Sequence, residues 1–209
     1  DLTDTSFGRV YRSRITWVRE IGELTKCDVI LVAAGERLGP GDTPQELFKA
    51  NRKIAHEIGE AFVGSSNLFV VATEPIDLMT AELARSLQLP PSRVMGIGGV
   101  VDSYRVRYTV GEALSVNTDY IRSHVIGPHD QRARVLWDYT SINGIPIRSL
   151  MDGTELTELA KSFTEEAKSR LKLITGAYSR YTPAIASLEL LRVLVKDDRR
   201  IMSVTHPWV

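Results

Sequence analysis

The sequence contains a single cysteine, Cys27, which excludes an internal disulfide and is typical of a protein in a reducing compartment. It also has no excess of either charge, since 26 lysines and arginines balance 26 aspartates and glutamates. A basic surface for nucleic acid is therefore not expected. No apolar run is long enough to span a bilayer, and no signal peptide is visible. We expect no nucleic-acid partner, no membrane association and a cytoplasmic location.

Several motifs of metal-binding and catalytic sites are also missing. The four histidines and the cysteine show no zinc spacing, and there is no phosphate-binding Gly-Lys-Ser/Thr loop or Gly-x-Ser-x-Gly elbow. We therefore expect no metal. The run Gly96-Ile97-Gly98-Gly99 resembles a dinucleotide fingerprint, but Val101 takes the place of the third glycine. This run predicts a tight strand-to-helix turn and not a phosphate site.

The first part of the chain alternates between strand and helix patterns. Short apolar runs predict buried strands over 28–33, 68–73 and 93–97, and a further strand is predicted over 14–18. Apolar residues spaced about one helical turn apart predict helices over 43–62 and 76–87. Strands that alternate with helices indicate an α/β fold with a doubly wound, Rossmann-type parallel sheet.

After Gly99 the pattern changes. It predicts a helix over 100–114, an alternating strand over 120–126 and extended chain to 147. Two helices follow: the first begins near Asp152, where Glu155 completes a capping box, and the second begins at Pro183 and ends near 195. We therefore predict an incomplete Rossmann-type domain over 1–98 and an α+β domain over 99–209.

Three side chains around this boundary suit proton transfer and carboxylate binding. Asp102 and Arg105 are three residues apart in a predicted helix and share one face, and His129 follows a predicted strand. A histidine exchanges protons near neutral pH, an aspartate orients it, and an arginine binds a carboxylate with two hydrogen bonds. The alternatives are a plain surface ion pair between Asp102 and Arg105, and a structural role for the histidine, with His124 as a rival.

A series of segments, in this order, resembles the lactate/malate dehydrogenase family, closer to its malate branch. The order and spacing of the segments carry the resemblance, which covers most of the chain. The segments are Ala33-Ala34-Gly35, Leu47–Ile54, Thr73–Asp77, Val101–Tyr108, Gly127-Pro128-His129 and Asn143–Ile147.

The resemblance implies reversible transfer of hydride between a small 2-hydroxy acid and NAD, with NADP left open, as in the tricarboxylic acid cycle. It implies that His129 exchanges the hydroxyl proton, that Asp102 orients His129, and that Arg105 binds the substrate carboxylate. It also implies a homodimer or homotetramer, with 99–209 as the catalytic domain. Further residues come from the same motifs: Arg37 and Leu38 for substrate, and Ala34, Gly35, Asn51 and Glu74 for the cofactor.

The sequence departs from the family pattern at several positions. Leu38 occupies the place of the substrate-selecting arginine of malate enzymes, with Arg37 one residue away, and Pro44 replaces an arginine that polarises the carbonyl. Glu74 occupies the place of an asparagine. By resemblance, the glycine-rich phosphate loop would precede the first residue, and further strands would follow the last. An inactive homologue that binds a nucleotide, a metabolite or a protein is the alternative.

Overall fold

The computed structural model describes residues 15–36, 43–172 and 181–207. Its centre is a three-stranded parallel sheet in the order β1-β2-β3, formed by Val29–Val32, Leu68–Val71 and Val94–Gly96. The strands are almost entirely apolar, as expected for a parallel sheet covered on both faces. The predicted α/β fold and its three parallel strands are confirmed. Strands β2 and β3 are largely buried as predicted, whereas β1 at the edge of the sheet is only partly buried, with Leu31 41% exposed.

The strand predicted over 14–18 is wrong for the residues that the structure describes. Residues 15–18 have no regular secondary structure. Ile15 is 52% exposed and Trp17 is 87% exposed. Their apolar side chains suggested a buried strand, but among the described residues no strand pairs with them.

Two helices cover one face of the sheet. Helix α1, Pro44–Ala61, begins with a capping box between Thr43 and Glu46, and helix α2 is Ile76–Leu87. Both match the predicted helices. Their apolar faces meet in a core around Phe62 and Phe69, whose rings pack edge to face with centroids 5.3 Å apart. Burial of such aromatic side chains is a major source of stability.

Helix α3, Gly98–Leu114, follows β3 directly, so the glycine run forms the predicted strand-to-helix turn. Five strands of two residues each follow: β4 Ile121–Arg122, β5 Val125–Ile126, β6 Arg134–Val135, β7 Ser141–Ile142 and β8 Ile145–Pro146. They pair antiparallel as β4-β7-β8 and β5-β6.

The single strand predicted over 120–126 is therefore divided into β4 and β5. The break between them is explained by hydrogen bonds to α3. The Ser123 hydroxyl donates to the backbone oxygen of Ser103 at 2.9 Å, and the Val125 N–H donates to the Ser103 hydroxyl at 3.2 Å. These bonds draw the chain towards α3 and interrupt the ladder.

Two long helices complete the described fold. Helix α4, Gly153–Lys172, begins at the predicted capping box, in which Asp152 and Glu155 exchange backbone and carboxylate hydrogen bonds. Helix α5, Tyr181–Lys196, begins two residues before the predicted start. It packs with α3 against the second face of the sheet. The predicted boundary near Gly98 coincides with the start of α3, and the division into two domains stays a prediction.

Among the described residues, no helix combines the length and the apolar character needed to cross a bilayer.

Candidate active site

The carboxyl ends of the three parallel strands lie along one edge of the sheet, where α/β proteins place their ligands. After β1, the small residues Ala33, Ala34 and Gly35 are exposed. After β2, the hydroxyl of Thr73 donates to the backbone oxygens of Val32 at 3.2 Å and Ala34 at 2.7 Å. This side chain fixes the β1 end next to the β2 end.

Asn51, on α1, lies behind this edge and is fully buried. Its side-chain oxygen accepts the N–H of Glu36 at 2.7 Å, and its side-chain nitrogen donates to the backbone oxygen of Glu74 at 2.7 Å. The amide is therefore engaged with protein backbone on both sides. The side chain joins the two loops, and the role of Asn51 in cofactor binding stays a prediction.

Asp102, Arg105 and His129 lie together at the end of β3. Helix α3 presents Asp102 and Arg105 one turn apart, and Arg105 Nη1 donates to Asp102 Oδ1 at 3.0 Å. The other oxygen of this carboxylate, Oδ2, is 2.7 Å from Nδ1 of His129. The side chains are 5%, 18% and 13% exposed for Asp102, Arg105 and His129 respectively. The structure thus brings together the three residues that the sequence singled out.

The backbone of His129 is also held. Its N–H donates to Asp77 Oδ2 at 2.7 Å, and Asp77 Oδ1 accepts the hydroxyl of Thr205 at 2.6 Å. Thr205 in turn forms two backbone hydrogen bonds of 2.9 Å with Gly96. One carboxylate at the start of α2 therefore links the histidine to the end of the described chain.

Gly98 allows the close approach of His129 to α3. A Cβ atom at this position would lie 2.9 Å from Cβ of His129, closer than such atoms come in proteins. Sequence reasoning treated this glycine only as part of a turn and did not single out Asp77 or Thr205. An acid in the first turn of a helix was a usable signal for Asp77, whereas nothing local to Thr205 indicated its contact.

Glu74 faces His129 from the opposite side to Asp102. Its Oε1 is 3.8 Å from Nε2 of His129, and its Oε2 accepts the N–H of Ile76 at 3.2 Å. The side chain is 36% exposed, so this side of the imidazole is the open one. His129 therefore lies between two carboxylates.

The charges around His129 favour its protonated form. Burial alone disfavours the imidazolium ion, but the hydrogen bond and charge of Asp102 and the charge of Glu74 outweigh burial and the nearby guanidinium of Arg105. The pKa of His129 is consequently raised above its ordinary value of 6.5. A histidine in these surroundings keeps its proton to a higher pH than a free imidazole does, and it can release that proton to a bound oxygen.

The rival histidine, His124, lies between β4 and β5 in a different environment. Burial and the positive charge of Arg107 lower its pKa. The predicted lid residues Arg37 and Leu38 lie outside the described residues. Within the described ranges no group of three or more potential metal ligands occurs.

Comparison with known proteins gives consistent matches over nearly the whole chain. The family model for the lactate/malate dehydrogenase NAD-binding domain matches residues 1–96. A malate dehydrogenase from Salinibacter ruber is 28% identical over 204 residues, which are 97% of this chain and 65% of that protein. An L-lactate dehydrogenase from Oceanobacillus iheyensis is 27% identical over 214 residues, covering 98% of this chain and 66% of its own length.

The solved structure of the malate dehydrogenase from Aeropyrum pernix matches with a TM-score of 0.86 at 25% identity. The match covers 98% of this chain and 67% of that structure. Sequence and fold therefore agree across both the parallel sheet and the segment that carries the Asp102–His129 pair. On this evidence, the chain is similar to lactate and malate dehydrogenases over nearly its whole length, and its first part matches the model of their NAD-binding domain.

Proposed function

We propose that the protein interconverts a small 2-hydroxy acid and the corresponding 2-keto acid with NAD as cofactor. The observation that supports this most directly is the contact of His129 with Asp102, next to Arg105, at the carboxyl edge of a parallel sheet. The names of the relatives and the NAD-binding family model support the same chemistry. Malate-type acids are our first candidates, and lactate-type acids are the second.

The residues at the sheet edge fit a dinucleotide. Ala33, Ala34 and Gly35 are exposed and carry no side chain beyond a methyl group, so a ligand can approach their backbone closely. We assign Ala34, Gly35, Asn51 and Glu74 to the cofactor site, in which the Asn51 amide also holds the loops after β1 and β2 together. When bound, the nicotinamide supplies the hydride acceptor or donor. NADP stays an alternative to NAD.

The protein's own groups handle the proton and the carboxylate. In the oxidation direction, His129 Nε2 takes the proton of the substrate hydroxyl, while Asp102 stabilises the resulting imidazolium through Nδ1. In the reduction direction, Nε2 returns the proton to the carbonyl oxygen. The guanidinium of Arg105 binds the substrate carboxylate through the N–H groups that it does not direct at Asp102.

The remaining assignments follow from the family. Arg37 and Leu38 are proposed to face the variable end of the substrate, residues 1–98 to form the cofactor domain, and 99–209 the substrate domain. We propose a homodimer or homotetramer. No observation favours the inactive alternative, since the three side chains needed for proton exchange and carboxylate binding lie in contact.

The test is turnover of the intact protein, followed as the loss of NADH absorbance with oxaloacetate, pyruvate and related 2-keto acids. We expect reduction of at least one acid. His129→Gln should lower kcat by about a thousandfold, the usual contribution of a general acid.

His124→Gln is the matched control, and it should change kcat by less than about threefold because its lowered pKa and separate surroundings place it outside the proton path. Full turnover in the His129 variant would reject the assignment. Binding of NADH without turnover of any acid would support the inactive alternative.

A further inference from the structure

Glu74 and Asp102 present carboxylates to opposite nitrogens of the same imidazole. Asp102 Oδ2 contacts Nδ1 at 2.7 Å, whereas Glu74 Oε1 lies 3.8 Å from Nε2. The longer distance exceeds that of a hydrogen bond. The N–H of Nε2 is therefore left for another acceptor, and Glu74 acts on the ring through its charge.

The position of the Glu74 carboxylate is defined. Its Oε2 accepts the N–H of Ile76 in the first turn of α2, where the partial positive charge of a helix N-terminus favours an anion. Its backbone oxygen is bound by the buried amide of Asn51. Both contacts hold the residue at the mouth of the site, on the side from which a substrate would enter.

Other charged groups also surround His129, and the charge of the adjacent Asp130 interacts with it as well. Helix α3 contributes Asp102 and Arg105, of which the arginine opposes protonation. Asp77 on α2 binds the backbone of His129, and Asp130 is turned to Arg132, which it binds through both carboxylate oxygens. Glu74 is thus the carboxylate on the Nε2 side whose charge favours the imidazolium.

We propose that Glu74 is a positioning residue for proton transfer, holding the proton on Nε2 of His129 so that the site works as a 2-keto acid reductase to a higher pH. This inference rests on the proposed function. In the reduction, the substrate C2 gains hydride from the reduced nicotinamide, the carbonyl π bond becomes a lone pair on oxygen, and that oxygen takes the Nε2 proton. Once the imidazolium has lost its proton to solvent at high pH, no proton is available for this oxygen and the reduction does not proceed.

The experiment is an NMR titration of the His129 ring in the intact protein, with its signal assigned by its loss in His129→Gln. In Glu74→Gln, which keeps the shape and removes the charge, we expect the pKa of His129 to fall by about one pH unit, a tenfold change in proton affinity. Glu74→Asp keeps the negative charge, so the pKa of His129 in this variant should lie close to its value in the unmodified protein. Glu36→Gln, on the neighbouring loop, is the matched control and should leave the titration unchanged.

In Glu74→Gln, the alkaline decline of kcat/KM for keto acid reduction should begin at a lower pH, shifted by the same amount as the pKa of His129. An unchanged ring pKa in this variant would overturn the inference and leave the proposed function standing. A shifted ring pKa in a protein that turns over no 2-keto acid would overturn the proposed function and, with it, the role of Glu74 in proton transfer.

Discussion

At the scale of single residues, His129 is positioned by contacts to its backbone as well as to its ring. Asp77 accepts the His129 N–H and the Thr205 hydroxyl, so it joins three distant parts of the chain. A charged acceptor makes such hydrogen bonds stronger than neutral ones. Asp77 therefore helps to set the direction in which Nε2 points, although it binds the backbone of His129 and not its ring.

This arrangement predicts a kinetic effect at a residue away from the reacting atoms. Asp77→Ala should lower kcat by about tenfold to a hundredfold with little change in KM, because small displacements of a reacting group cost this much. Amide hydrogen exchange at His129 should accelerate in the same variant, since its N–H loses its acceptor.

Thr205→Val removes only the second hydrogen bond of Asp77 and serves as the graded control, with a smaller loss of kcat. Unchanged amide exchange at His129 in Asp77→Ala would contradict the role given to this carboxylate.

The sequence allowed the prediction of some site residues and not of others, for a physical reason. Asp102 and Arg105 share one helical turn, and His129 ends one short segment, so local pattern and resemblance identify them. Asp77 and Thr205 meet only after the sheet, α2 and the end of the described chain have packed together. The backbone partners of the Asn51 amide were likewise not predicted, because they belong to two loops that only folding brings next to α1.

At the scale of secondary structure elements, periodicity predicted the long elements well and the short ones poorly. Helices α1 and α2 and strands β1 to β3 bury continuous apolar faces, and such faces are visible as spacing in the sequence. Strands β4 to β8 have two residues each, and their pairing depends on hydrogen bonds to neighbours such as Ser103 on α3. No local pattern encodes those partners.

The packing of α1 against α2 includes a buried carboxylate. Glu82 on α2 is 4% exposed, and its oxygens lie 2.8 Å from Arg52 Nε, His56 Nε2 and Arg85 Nη1. Burial alone would raise the pKa of Glu82, but the hydrogen bonds from Arg52 and His56 and the nearby positive charges outweigh it and lower the pKa. The side chains of Arg52, His56 and Arg85 stay at least half exposed, so the loss of solvation on folding falls mainly on the Glu82 carboxylate.

Glu82→Gln should therefore destabilise the protein by about 1–3 kcal/mol, the cost of leaving buried hydrogen-bonding groups poorly paired. Urea unfolding followed by circular dichroism measures this loss. Glu57→Gln, on the exposed side of α1, is the matched control and should remain within about 0.5 kcal/mol of the unmodified protein. Equal stabilities of the two variants would show that the cluster does not hold the helices together.

At the scale of the whole molecule, two apolar cores of the described residues connect the parallel sheet with helices, and a third core lies between α3, the short strands and α4. Val70 and Ile97 from the sheet region share one core with Val101 of α3 and with Ala186 and Leu190 of α5. The predicted α/β class is confirmed by the fold, and the predicted resemblance to lactate and malate dehydrogenases is confirmed by the comparisons. Packing of α5 onto the sheet was not predicted, because amphipathic spacing identifies a buried face without identifying its partner.

Two groups described above give the molecule opposite dependences on pH. The pKa of Glu82 is lowered on folding, so its contribution is present above its ordinary pKa of 4.5 and is lost as pH falls through the folded value. The pKa of His129 is raised, so its contribution is fully present below 6.5 and is lost as pH rises through the folded value. Together they favour maximum stability between these two ordinary values.

The free energy of unfolding, measured by urea titration from about pH 3 to about pH 9, should therefore decline on both sides, with each group contributing a slope of up to about 1.4 kcal/mol per pH unit. His129→Gln should flatten the alkaline decline and leave the acid decline, because only the imidazolium contribution is removed. Glu82→Gln should flatten the acid decline and leave the alkaline decline. If His129→Gln kept the full alkaline decline, the imidazolium would not be stabilised by folding, and the electrostatic account of the Asp102–His129–Glu74 arrangement would fail.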